Sequence, residues 1–97
     1  MLLGDLIARF DDEAVAAEVL LSLDDLALTA RVHEAAAAHE ITAGEFARFA
    51  VQQFSANASD EDWVTVIGQM GRTEKPGQVL LRRALLWALT LQPAGKA

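Results

Sequence analysis

Three Ser/Thr-x-x-Asp/Glu tetrads constrain how this chain can fold: Ser22-Leu-Asp-Asp25, Thr42-Ala-Gly-Glu45 and Ser59-Asp-Glu-Asp62. In such a box the hydroxyl accepts from an orphan backbone N–H in the first turn of a helix. The carboxylate three residues on reaches back and accepts from the N–H of the capping residue. Stretches rich in Ala, Leu, Val or Phe follow each box at helical spacing. Ser22, Asp25, Thr42, Glu45, Ser59 and Asp62 therefore read as helix caps, and the chain reads as all-α. The expected architecture is a compact bundle of four to five short helices.

Between the boxes the apolar residues keep the period of a helix. Leu2, Leu3, Leu6, Ile7 and Phe10 form a short amphipathic stretch that Asp11-Asp12-Glu13 interrupts. Asp11 suits the N-cap position, and an acidic first turn suits the positive end of the helix dipole. Residues 14–21 continue as helix, with a short strand over Val19 to Leu23 as the alternative. A helix opened by Ser22 and running to His39 would bury Leu28, Val32, Ala35 and Ala36. One opened by Thr42 would bury Phe46, Ala47, Ala50, Val51 and Phe54, with Phe49 at the margin and a Glu45–Arg48 pair on the wet side. After Ser59 the expected apolar line is Trp63, Ile67 and Met70, with Gly71 ending the helix. Pro76 suits the first position of a last helix that is apolar nearly all round, apart from a strip through Arg83 and Thr90 with Arg82 beside it. Residues 1–91 read as one helical domain and 92–97 as a flexible tail.

Composition decides what such a bundle needs. A chain of 97 residues buries only about 60–65% of its unfolded surface. Yet 53% of its residues are hydrophobic. The surplus points to a second chain, and a homodimer is the expected state. The aromatic side chains Phe46, Phe49, Phe54, Trp63 and Trp87 are the candidate interface anchors.

The net charge of −6 is unevenly placed. The first 62 residues carry thirteen carboxylates against three arginines, and the rest carry Glu74 against five cations. A basic last helix set against an acidic body follows from this asymmetry. Five cations are a thin footprint for nucleic acid, which is a disfavoured partner. The apolar run from Val79 to Leu91 is broken by Arg82-Arg83 and falls short of the roughly 20 residues of a membrane span. The first ten residues carry Asp5 inside their apolar stretch and no basic lead, unlike a secretory signal. A cytoplasmic protein with no membrane partner is expected.

The chemistry-bearing residues are few. There is no cysteine, which removes disulfides and thiolate ligands. His33 and His39 are six apart, not the four that would place two ligands on one helix face. There is no tyrosine, no Gly-x-Ser-x-Gly elbow and no phosphate-cradling glycine loop, and the carboxylates gather where helices begin. No catalytic residue, metal or cofactor is expected.

Two segments resemble known families. Thr42-Ala-Gly-Glu-Phe-Ala-Arg-Phe-Ala-Val-Gln-Gln-Phe54 resembles the second helix of ribbon-helix-helix regulators, and Val32, Ala35 and Ala36 resemble part of the first, over residues 26–57. The resemblance implies a dimeric DNA-binding regulator or antitoxin, with Thr42 and Arg48 as phosphate contacts. It also implies an N-terminal strand in the major groove, which would place Glu18, Leu20, Ser22 and Asp24 toward the bases. Here Asp24-Asp25 stands where that family usually has proline near the helix start. Ser22-Leu-Asp-Asp-Leu-Ala-Leu-Thr-Ala-Arg-Val resembles the segment after the modified serine of acyl carrier proteins, with Leu21 in place of the family's Asp. The first expectation is a small, non-enzymatic, homodimeric interaction or regulatory module. The regulator is its alternative and the carrier-like domain the third.

Overall fold

Residues 3–91 are described by a computed structural model of the chain, with side chains over 4–90. They form six helices and, among the described residues, no strand: α1 (Leu3–Arg9), α2 (Glu13–Ser22), α3 (Leu26–Ala38), α4 (Ala43–Asn57), α5 (Asp60–Met70) and α6 (Pro76–Leu91). The all-α expectation therefore holds, with six helices in place of four to five. The expected tail, 92–97, lies outside the described residues.

Two acidic breaks separate the first three helices. At the first, Asp12 rather than Asp11 caps α2, its carboxylate accepting from Ala14 N at 2.9 Å. Asp11 is turned toward α4 instead. Its carbonyl accepts from Arg48 Nε at 2.8 Å and its carboxylate from Gln52 Nε2 at 3.1 Å. In place of the Glu45–Arg48 pair, α4 is tied to the turn between α1 and α2.

The second break corrects the first of the three boxes. Ser22 does not open α3; it ends α2, its hydroxyl donating back to Val19 O at 2.7 Å. The alternative strand over Val19 to Leu23 is absent: residues 19–22 are the last turn of α2 and Leu23 is its C-cap. Leu23 stays helical because its side chain is needed in the core, where it is buried. Asp24 then takes φ 54, a left-handed conformation that Asp tolerates better than most side chains. Asp25 is extended and caps α3, accepting from Leu28 N at 3.0 Å. The other end of α3 closes on Glu40 at φ 58, with Glu40 N donating to Ala37 O and Ile41 N to Ala36 O. That pair of bonds is a Schellman stop built without glycine.

α4 is the hub. It packs most extensively on α2 and α6, then on α3, and touches α1. The five apolar residues expected on its inner face are all buried, together with Gly44. Gly44 sets the approach of α2: a Cβ there would lie 3.0 Å from Glu13 Cγ and 3.1 Å from both Glu13 O and Ala17 Cβ. From α6, Leu80, Leu81, Ala84 and Leu85 complete the core, and Val32 enters from α3. The Phe54 ring makes T-shaped contacts with Trp63 at 5.1 Å and Trp87 at 5.8 Å between centroids, which joins α4 to α5 and α6. α5 sits at the margin. Its inward stripe is Trp63, Val66 and Met70, at i, i+3 and i+7, and Ile67 is turned outward, 51% exposed.

Candidate functional site

The residues singled out by sequence fall into three groups. Thr42 and Ser59 are complete capping boxes. Thr42 Oγ1 accepts from Glu45 N and a Glu45 carboxylate oxygen accepts from Thr42 N, both at 3.0 Å. Ser59 and Asp62 repeat the exchange at 3.1 and 3.2 Å. Thr42 Oγ1 also donates to Glu13 at 2.7 Å, so α4 begins between two carboxylates. A phosphate at Thr42 and Arg48 would meet Glu13 and Glu45, and Arg48 is engaged with Asp11. Both carboxylates would repel an anion there.

The aromatic anchors divide. Phe46 and Phe54 are fully buried within the chain and belong to its own core, which corrects their assignment as interface residues. Trp63 and Trp87 are half-buried and turn one side to Phe54. Phe49 alone keeps a large exposed fraction, 44%, beside a hollow of about 180 Å³ bounded by Ile41, His39 and Phe46. The described residues hold no group of three or more histidines and carboxylates able to take a metal ion.

Sequence reasoning missed a groove of about 340 Å³ along the outer face of α6, closed on its other side by Gln69 of α5 and by Thr73 and Lys75 of the link between α5 and α6. Lys75, Arg82 and Arg83 supply its charge, Gln69 and Gln78 its amides, and Val79 and Leu86 its aliphatic surface. No carboxylate lines it. Two of its three cations are paired with carboxylates outside the lining, Arg82 with Asp25 and Arg83 with Asp62, so Lys75 is its one cation without an ion pair among the described residues. A smaller hollow of about 220 Å³ shares Arg83 and Leu86 and runs on past Trp87 to Thr90.

The groove is held by polar ties to the body. Arg82 Nη1 donates to Asp25 at 2.7 Å, and Arg83 lies 3.6 Å from Asp62. Gln78 Nε2 donates to Ser22 Oγ at 2.9 Å and to Ser22 O at 3.2 Å. The hydroxyl of Ser22 is thus committed to Val19 and Gln78, at the end of a helix and not at the start of one. The Asp25 carboxyl is held below its ordinary value of 3.8, first by the Leu28 N–H and then by the Arg82 guanidinium. Lys75 makes no ion pair among the described residues.

The sequence signal for this groove was the strip along α6. Val79 and Leu86 are seven apart and share a face, with the arginines between them. What the strip could not supply is the second wall, Gln69 with Thr73 and Lys75, which depends on how the end of α5 and the following link lie against α6.

Comparison with known protein families, with curated proteins and with solved structures found no match. The described residues define an all-α fold of six helices with a part-aliphatic groove carrying Lys75, Arg82 and Arg83 at one edge. No described helix is long and apolar enough to cross a membrane.

Proposed function

We propose that this chain is a small non-enzymatic interaction or regulatory module that acts as a homodimer in the cytoplasm. One observation carries the reading. After the core is filled, Leu21, Leu26, Phe49, Val64, Ile67 and Leu86 remain on the surface, Leu26 as much as 86% exposed. Single exposed apolar residues are ordinary, but this many large ones on so short a chain point to contact with another protein surface.

Against the DNA-binding alternative weigh the helical residues 13–22, where its strand would lie, and the carboxylates around Thr42. A salt-dependent gel shift on duplex DNA would restore that alternative. Light scattering on the eluting protein tests the proposal itself. The expected mass is twice the 10.4 kDa of the chain, and a single-chain mass at high micromolar concentration contradicts it.

A further inference from the structure

The corner between α2 and α3 and the groove between α5 and α6 are neighbours on one side of the molecule. Gln78 and Arg82 belong to both. They line the groove, and they bond to Ser22, Leu23 and Asp25 in the corner. Each patch carries what the other lacks. The corner leaves Leu21 74% and Leu26 86% exposed, with Asp24 exposed between them and in no ion pair among the described residues. The groove offers Lys75 without an ion pair, together with Val79 and Leu86 about 10 Å apart along α6.

A two-fold interface requires that the same surface hold both halves of each contact, so that residue i meets j and j meets i. Two adjacent patches of opposite charge, each with aliphatic side chains, meet that requirement. We propose that two copies of this chain pair about an axis beside Gln78 and Arg82, the corner of each copy entering the groove of the other. Asp24 then faces Lys75 of the second copy, and Leu21 and Leu26 cover Val79 and Leu86. The occupant is a second copy because the acidic, leucine-bearing complement to the groove lies on the same face of the same chain. Pairing also draws water away from the Arg82–Asp25 bond, where a lower local dielectric strengthens it. The assignment rests on the dimeric reading above and adds to it the surface used.

The test is the dimer dissociation constant of the full chain and of four variants, from light scattering over a concentration series. Leu26 and Asp24 are exposed, and Lys75 precedes the first residue of α6, so none of these replacements removes a core contact; Asp24→Lys places lysine at φ 54, a backbone cost that the thermal melt reports. Leu26→Glu is expected to weaken pairing by at least about tenfold, and Asp24→Lys and Lys75→Glu each by about tenfold, because each places like charges together twice per dimer. The double variant Asp24→Lys/Lys75→Glu reverses both charges and should recover most of the loss. A thermal melt of each variant reports folding separately. A wild-type dimer that all four variants leave unchanged overturns this surface and leaves the dimer standing. Loss in both single variants without recovery in the double overturns the Asp24–Lys75 pairing. A monomeric wild type overturns the dimer and the surface together.

Discussion

α4 and α5 begin with the same device and end in different surroundings. Each opens on a complete capping box, and each carries an amphipathic pattern of similar strength. α4 buries six residues and α5 buries one, Val66, leaving Val64 72% and Ile67 51% exposed. The difference is one of neighbours. α4 is enclosed by α1, α2, α3 and α6, whereas the main packing partner of α5 is α6. A cap fixes where a helix starts. How deeply its apolar face is buried depends on how many other helices reach it, and the surface left over at the margin is what a second chain can use.

The sharpest way to break this contrast is through the ring that joins the two helices. Phe54→Ala should cost about 3–5 kcal/mol in urea unfolding, and the emission of Trp63 and Trp87 should shift as their shared neighbour is removed. Next comes the α2–α4 crossing. Gly44→Ala pushes a methyl against Glu13 and Ala17 and should cost about 1–3 kcal/mol by the same measurement. The caps should be nearly equal despite their different settings. Thr42→Ala and Ser59→Ala are each expected to lose about 1 kcal/mol, and no loss at Ser59 would mean that α5 is held by packing alone. At the outer face of α5, Val64→Thr should stay within about 0.5 kcal/mol, since the side chain is mostly in water in the single chain. A larger loss that appears only at high protein concentration would bring this face of α5 into the interface as well.

The smallest effect is confined to acid. The folded Asp25 carboxyl titrates below its ordinary value of 3.8, so its contribution is present above that value. It fades as pH falls through the folded value. Asp25→Asn should therefore flatten the pH dependence of stability below about pH 4 and leave its slope near neutrality unchanged. An unchanged acid slope would show that the Leu28 and Arg82 contacts do not favour the charged form.

What could be read from the residues was what depends on near neighbours in the chain. The boxes at Thr42 and Ser59 close within three residues, and the inner face of α4 follows directly from its period. The Ser22 tetrad looks the same on paper and is not a box. Leu23 is drawn into the core, Asp24 turns left-handed, and the cap falls to Asp25, whose second partner Arg82 lies 57 positions away. Ile67 was misplaced for a related reason. It is four residues from Trp63, but Val66 is the one that α5 turns inward. The charge asymmetry did foreshadow the ties of Arg82 to Asp25 and of Arg83 to Asp62. The groove itself was hidden, because one wall comes from α6 and the other from Gln69 and the link between α5 and α6, and no local pattern states how that link folds back.

The central claim is that the buried hub is complete within one chain, while the margin is completed by a second. Hydrogen exchange followed by mass spectrometry at low and high protein concentration tests it most directly. The account predicts that amides of residues 22–26 and 73–79 gain protection as concentration rises, while those of α4 are equally protected at both. Protection that is independent of concentration at the corner and the groove, or that rises evenly across α4 as well, would contradict it.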